Sequence, residues 1–215
     1  MPLQPVIRFA NIFFNADCKN LAPVWEQVAE DYENEPNVVV AKVDAEGENS
    51  KATAKAQGVS SYPTIKFFPA GSKEAELYSG GRSEADFVSF LNEKSGTHRA
   101  VGGGLDAYAG TIEALNSVVD KFTGGTSILA DSLAEAQKQA EELKEQAQYK
   151  YAEYYVRVFD KLKSNDGYAA KELARLDGIL KKGGLAPTKL DELTSKTNIL
   201  RRFVEEKIEQ VKDEL

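Results

Sequence analysis

The chain has 215 residues, of which 42% are apolar and 28% charged, and its formal net charge is -7. An acidic chain is poorly suited to nucleic acid, and no apolar run approaches the ~18 residues of a membrane span. We therefore expect neither nucleic-acid binding nor membrane insertion. With one Cys (Cys18) and one His (His98), the chain lacks the ligands of most zinc sites and cannot form an intramolecular disulfide. The sequence accordingly predicts no metal and no cofactor.

The chain changes in texture along its length. Its first part mixes β-branched runs with Gly and Pro, whereas its second part is rich in Ala, Glu, Lys and Leu. This contrast predicts an α/β domain followed by an all-helical bundle. We place the α/β domain at 1–97 (with 1–17 atypical), a linker and connecting helix at 98–127, the bundle at 128–211 and a terminal signal at 212–215.

Apolar periodicity gives the elements of the first domain. Leu21, Trp25 and Val28 recur on one helical face, and Ser83 is a suitable N-cap for a later helix. In chain order the predicted elements are a helix at Cys18–Glu33, a strand at Asn37–Asp44, a helix at Glu48–Gln57, strands at Thr64–Phe68 and Glu76–Ser79, and a helix at Ser83–Lys94.

The second domain is predicted to hold three or four helices. An apolar stripe with steps of four and three begins at Leu129 and continues without a breaker to Leu162. Asn165-Asp166-Gly167 ends that stripe, a further helix ends at Gly183-Gly184, and Pro187 can open the last one. Short loops between these helices are typical of a small antiparallel bundle.

A dense aromatic group lies in the second domain, at Tyr149, Tyr151, Tyr154, Tyr155 and Phe159. Positions 149, 151 and 154 diverge around a helix at ~100° per residue, so one face cannot bury all of them. Two interpretations remain open. Some of these rings are exposed and bind unfolded polypeptide, or most belong to the bundle core with hydroxyls at its rim.

Three motifs in order carry a resemblance. Cys18-Lys19-Asn20-Leu21-Ala22-Pro23, then Tyr62-Pro63-Thr64, then Gly80-Gly81-Arg82 stand in the order found in protein disulfide isomerases. The chain resembles a thioredoxin-like domain from Cys18 to about Ser95. From Gly96 onwards the chain resembles the ERp29-type helical carboxy-terminal domain of the fungal and plant isomerases. The resemblance implies a thioredoxin-like fold, incomplete at its amino end, followed by that bundle.

The catalytic motif of that family is altered here. The family uses a Cys-x-x-Cys pair at a helix N-terminus, where the first thiolate attacks a disulfide and the second thiol resolves the adduct. In this chain Cys18 matches the second Cys, and the first position holds Asn15. An amide cannot act as a thiolate. We hypothesise that the chain cannot cycle between dithiol and disulfide, and forms at most a mixed disulfide through Cys18.

The resemblance also assigns roles to three other residues. It makes Tyr62-Pro63 the cis-proline dipeptide that lines the substrate groove, and Arg82 a side chain that swings toward the cysteines and lowers a thiol pKa. From the residues alone, an X–Pro bond is ordinarily trans, and a lone Arg is ordinarily a surface charge at a helix start.

The chain ends in Lys212-Asp213-Glu214-Leu215. KDEL at a free carboxyl terminus is an address read by a receptor that returns proteins to the endoplasmic reticulum. It predicts a lumenal protein with the KDEL receptor as a partner. Residues 1–17 lack the basic start of a secretory signal and are too short for the family's first strand and helix. We therefore expect a truncated or altered amino end, in which Val6–Phe14 supplies one replacement strand.

Three functions are compatible with the sequence. The first is an isomerase of the endoplasmic reticulum lumen that exchanges disulfides with folding secretory proteins, impaired because Asn15-Ala16-Asp17-Cys18 replaces the Cys-x-x-Cys motif. The second is a redox-inactive chaperone or escort that holds unfolded clients. The third is an incompletely folded fragment of a longer isomerase, because half a sheet would be missing.

Overall fold

The computed structural model describes residues 7–13, 16–45, 47 and 49–213, and side chains at 8–10, 20–45, 47 and 49–204. The chain divides into two compact units, Met1–Asp106 and Ala107–Leu215. An α/β unit is followed by a helical unit, as predicted. The divisions predicted at 97/98 and 127/128 stay predictions.

The first unit is built on a four-stranded mixed sheet. Its elements are β1 (Ile7–Phe13), α1 (Ala16–Asp31), β2 (Val38–Asp44), α2 (Lys51–Ala56), β3 (Thr64–Phe68), β4 (Glu76–Leu77) and α3 (Glu84–Ser95). The strand order is β2-β1-β3-β4. β1 is parallel to β2 and antiparallel to β3. The replacement strand predicted over Val6–Phe14 is therefore confirmed as β1, and it occupies the interior of the sheet.

Aromatic packing holds β1 in that interior position. Phe9 is fully buried, and its ring centroid lies 4.9 Å from that of Trp25 and 5.7 Å from that of Phe87. The Trp25 indole N–H donates to the carbonyl oxygen of Ala41 at 3.1 Å, which ties α1 to β2. Burial of these rings supplies much of the hydrophobic stabilisation that a small domain requires.

Both ends of α3 are capped. Ser83 and Asp86 form a capping box, in which the Ser83 hydroxyl accepts from the Asp86 N–H and the Asp86 carboxylate accepts from the Ser83 N–H. The Ser83 hydroxyl also donates to the Asp86 carboxylate, and this bond, together with the one from the Ser83 N–H, lowers the pKa of the Asp86 carboxyl. At the other end Gly96 adopts the left-handed conformation, with φ of 66°. The predicted N-cap at Ser83 is confirmed. α2 and β4 are shorter than predicted.

A polar network fastens the segment after α3 to the first unit. Arg99 is 3% exposed, and its Nε donates to Glu35 at 2.7 Å. The Asn92 side chain accepts from the Arg99 N–H and donates to the Arg99 carbonyl oxygen. Nearby, burial and then the neighbouring Glu84 raise the pKa of Asp31 to about 6. The segment that follows α3 is thus bound to α3 and to the loop after α1 rather than extended.

The second unit is helical throughout its described elements. These are α4 (Glu113–Thr123), α5 (Leu129–Glu142), α6 (Tyr149–Leu162), α7 (Tyr168–Lys182) and α8 (Pro187–Asp213). α8 begins at Pro187 and α7 ends before Gly183, as predicted. All five helices contribute buried apolar residues to one core.

The uninterrupted stripe predicted from Leu129 to Leu162 is wrong in one respect. The chain turns between Glu142 and Tyr149, which separates α5 from α6. A single straight helix of that length would extend about 50 Å and leave much of its apolar face uncovered. Turning back lets Ala136 of α5 and Ala152 of α6, both fully buried, share a core. Tertiary packing overrides local helix propensity here.

Most rings of the aromatic group belong to the core of the second unit, which favours the second of the two interpretations. Tyr154, Tyr155 and Phe159 are buried, whereas Tyr149 and Tyr151 are half-buried.

Within the described residues, no helix combines the length and apolar character needed to cross a membrane.

Candidate functional site

One end of the sheet gathers the positions singled out in the sequence. Phe13 at the end of β1 pairs with Asp44 at the end of β2. Ile12 pairs with Thr64, the first residue of β3, because β3 runs antiparallel to β1. α1 begins three residues after Phe13. The register therefore brings the start of α1 and the residues just before Thr64 to the same end of the sheet.

Cys18 is the third residue of α1. The N–H groups of a first helical turn have no intrahelical acceptors, and with the helix dipole they favour a thiolate there. The Cys18 side chain and the whole of Asn15 lie outside the described residues. In the described part of the chain, no group of three or more His, Cys, Asp or Glu residues is placed to hold a metal ion.

The Tyr62–Pro63 peptide bond is cis. The expectation drawn from the family resemblance is confirmed on this point, and the ordinary trans turn is wrong. Tyr62 is half-buried and packs against a small cluster that includes Ala45 and Ala54. Pro63 directly precedes Thr64, so it lies beside the end of β1. A role for this dipeptide in a substrate groove stays a prediction.

Arg82 lies in the loop between β4 and α3 and is exposed, one residue before the N-cap Ser83. The two glycines before it have a steric reason. A Cβ on Gly81 would lie 2.2 Å from an Asp86 carboxylate oxygen, and a Cβ on Gly80 would lie 2.5 Å from the Tyr78 hydroxyl. Gly81 thus lets the loop approach α3 closely, and Gly80 leaves room for the Tyr78 side chain. The proposed effect of Arg82 on a thiol pKa stays a prediction.

The predicted retrieval signal at 212–215 lies only partly within the described residues. Lys212 and Asp213 close α8, with side chains outside the described residues, and Glu214 and Leu215 lie outside them entirely.

Sequence reasoning missed a cavity of about 320 Å³ in the second unit. Its lining comes from α6, α7, α8 and the loop that joins α7 to α8, and it includes Tyr154, Arg157, Tyr168, Glu172, Arg175, Leu176, Ile179, Leu185, Lys189, Leu193 and Lys196. One signal was present in the sequence. Tyr154 and Arg157 are three residues apart, as are Glu172 and Arg175, so each pair shares a helix face. The convergence of these faces on one cavity depends on the tertiary packing.

The Glu172–Arg175 pair is a bidentate ion pair in the lining of this cavity. Two Arg175 nitrogens donate to the two Glu172 oxygens, each at 2.7 Å. This bidentate hydrogen bonding lowers the pKa of Glu172. Burial raises the pKa of both Tyr154 and Tyr168, so both phenols stay protonated at neutral pH.

Comparison with known proteins identifies both parts of the chain. The family described as Thioredoxin matches residues 9–93, and the family described as Endoplasmic reticulum protein ERp29, C-terminal domain, matches residues 110–203. The two matches follow each other without overlap, in the order of the two units.

Three curated relatives are similar over most of this chain. Protein disulfide-isomerase erp38 of Neurospora crassa is 59% identical over 198 residues, which cover 92% of this chain and 53% of the relative. Protein disulfide-isomerase tigA of Aspergillus niger is 61% identical over 198 residues, covering 92% and 52%. Probable protein disulfide-isomerase A6 of Medicago sativa is 39% identical over 188 residues, covering 86% and 50%. The chain thus spans about half the length of each of these relatives.

Proposed function

We propose that this chain exchanges disulfides with folding secretory polypeptides but does not complete a catalytic cycle. The chain belongs to the protein disulfide isomerase family and joins a thioredoxin domain to an ERp29-type carboxy-terminal domain. The observation that carries this proposal is a single thiol, Cys18, at the start of α1 beside the cis-Pro63 end of the sheet.

The exchange stops after one step. The Cys18 thiolate attacks one sulfur of a client disulfide, a Cys18–client disulfide forms, and the other client sulfur leaves as a thiolate. In a Cys-x-x-Cys site the other thiol of the pair would then break the adduct. In this chain Asn15 stands in place of that other thiol, so release requires a thiol from the client or from a small-molecule pool.

The proposed location is the lumen of the endoplasmic reticulum. The ERp29-type domain and the terminal Lys212-Asp213-Glu214-Leu215 support it, and the latter makes the KDEL receptor a proposed partner. An oxidising lumen is also where client disulfides are present.

An insulin reduction assay with dithiothreitol tests the turnover. We expect no acceleration by the chain as it is, one covalent adduct per molecule with a disulfide-containing peptide in mass spectrometry, and no adduct for Cys18→Ser. Asn15→Cys restores the family's spacing and is expected to accelerate insulin reduction. Catalytic turnover by the unaltered chain would contradict the proposal, as would an adduct that survives Cys18→Ser.

A thiol-independent chaperone is the second candidate, and the lack of a second Cys in the sequence together with the cavity in the second unit favours it. Suppression of the aggregation of a reduced, alkylated client separates the two functions. A chaperone keeps this activity in Cys18→Ser, whereas covalent capture cannot act on such a client.

Limited proteolysis tests the remaining alternative, an incompletely folded fragment. Protection only beyond about residue 125 would favour the fragment, and protection of both units would exclude it.

A further inference from the structure

The cavity between α6, α7 and α8 has the composition of a binding site. Its volume of about 320 Å³ would hold roughly ten waters at about 30 Å³ each, which is room for one or two side chains. Leu176, Ile179 and Leu193 form an apolar part, and long cationic side chains border it. Ligand sites are typically mostly apolar, with a few convergent polar groups.

The Tyr154 hydroxyl is an unsatisfied donor at this cavity. Tyr154 is 6% exposed, and its hydroxyl has no hydrogen-bond partner among the described side chains and backbone. The next residue, Tyr155, shows the usual arrangement, since its buried hydroxyl bonds to both Asn116 and the backbone of Ile112. Buried polar groups without a partner are rare in folded proteins and require an explanation. A ligand that accepts a hydrogen bond from the Tyr154 hydroxyl would explain why this group is buried without a partner.

The charge around the cavity favours an anion. Its lining holds four cations, Arg157, Arg175, Lys189 and Lys196, and one carboxylate, Glu172. The adjoining cavity adds Lys150, Glu153 and Glu192. Glu172 binds Arg175, and Glu192 binds Lys189 and Lys196. Arg157 is exposed and forms no ion pair or hydrogen bond with another described residue. One cation therefore stays available in a protein whose net charge is -7.

Access to the hydroxyl depends on flexible side chains. The Lys196 ammonium lies 5.4 Å from the centroid of the Tyr154 ring, and Arg157 is three residues from Tyr154 on the same face of α6. Long Lys and Arg side chains change rotamer without moving the backbone, so a ligand can reach the phenol from this side.

We propose that this cavity binds a segment of unfolded client polypeptide in which an apolar side chain neighbours a carboxylate. The apolar side chain packs on Leu176, Ile179 and Leu193. The carboxylate accepts hydrogen bonds from the Tyr154 hydroxyl and the Arg157 guanidinium. This inference rests on the proposed function, since it takes the clients to be polypeptides, but it does not involve Cys18.

Fluorescence anisotropy with cysteine-free labelled peptides tests the proposal. The probe is Gly-Ser-Leu-Glu-Leu-Glu-Gly-Ser, and the matched peptides carry Lys in place of Glu, or Ser in place of Leu. We expect the Leu-Glu peptide to bind the full chain at least tenfold more tightly than either matched peptide. A hydrogen bond to a charged group is ordinarily worth about a tenfold change in affinity or more.

Single substitutions locate the binding. Tyr154→Phe and Arg157→Gln are each expected to weaken the Leu-Glu peptide about tenfold. Lys138→Gln on α5 removes an exposed cation outside the cavity lining, and it is expected to change the affinity less than twofold. Circular dichroism confirms that the variants keep their fold, which is expected for Tyr154→Phe because its hydroxyl makes no hydrogen bond with the described residues.

The outcomes separate this inference from the proposed function. The Cys18→Ser variant is expected to bind the peptide with the same affinity as the unaltered chain. An insulin or adduct experiment that contradicts the proposed function therefore leaves the peptide-binding result unaffected. Equal affinity for the Glu and Lys peptides, no binding of any peptide, or unchanged affinity in both Tyr154→Phe and Arg157→Gln would overturn the inference.

Discussion

Replacing Tyr155 by phenylalanine removes one oxygen from the interior of the second unit. The Tyr155 side chain is fully buried, and its hydroxyl donates to the Asn116 Oδ1 at 2.5 Å and accepts from the Ile112 N–H at 3.3 Å. Ile112 is the N-cap of α4 and has no side-chain capping bond of its own. This hydroxyl therefore joins α6 to the start of α4. The variant leaves both partners without it, and both are buried.

The structure sets the size of the effect. An intramolecular hydrogen bond contributes roughly 1 kcal/mol, and a buried group left unsatisfied costs about 1–3 kcal/mol. We expect Tyr155→Phe to lower the free energy of unfolding of the second unit by about 2 kcal/mol. For a unit of about 100 residues this corresponds to a decrease in Tm of about 8 °C. Tyr154→Phe is the matched control, with an expected change within about 0.5 kcal/mol, because its hydroxyl has no partner to lose among the described residues.

Two optical signals separate the units in a urea titration. The single tryptophan, Trp25, is buried in the first unit, so its fluorescence reports unfolding there. Circular dichroism at 222 nm follows the helices, most of which lie in the second unit. We expect Tyr155→Phe to shift the helical transition to lower urea and to leave the fluorescence transition unchanged. Equal destabilisation by Tyr155→Phe and Tyr154→Phe would refute the hydrogen-bond argument.

Three further predictions concern the first unit and use tryptophan fluorescence in urea. Ser83→Ala removes the capping box and should cost about 1 kcal/mol, whereas no loss would contradict its role at α3. Asp31→Asn should stabilise the unit at pH 7, because burial and Glu84 raise the pKa of Asp31 to about 6 and the carboxylate is then the disfavoured form. The native proton contributes stability that is complete below about pH 4 and is lost as the pH rises through about 6, so the advantage of the variant should shrink between pH 7 and pH 4. A constant advantage would exclude Asp31 as the titrating group. Arg99→Met should cost about 3 kcal/mol, since it leaves the largely buried Glu35 unpaired. A cost below about 1 kcal/mol would show that water replaces the guanidinium.

Local signals in the sequence predicted the first unit well. The β-branched run at Asn37–Asp44, the Ser83 N-cap and the helical face of Leu21, Trp25 and Val28 each act through neighbouring residues, and each has its expected counterpart in the structure. The cis bond at Tyr62–Pro63 was reached only through the family resemblance, because nothing local distinguishes it from a trans bond.

Features that depend on tertiary packing could not be read in the same way. No Gly or Pro marks the turn between α5 and α6, so the apolar stripe runs through it. The unpartnered hydroxyl of Tyr154 and the paired hydroxyl of Tyr155 are adjacent in sequence. Their surroundings differ because Tyr154 lies where α6, α7 and α8 meet, whereas Tyr155 contacts the start of α4.

The position of β2 at the outside of the sheet has a consequence for handling the protein. β2 pairs on one flank with β1 and has no strand on its other flank among the described residues, and Val39 within it is 42% exposed. Seven residues of extended backbone can thus template a strand from a second molecule. Growth of such intermolecular sheets rises with concentration and needs no prior unfolding. We therefore expect the working lifetime of a solution to shorten as its protein concentration rises.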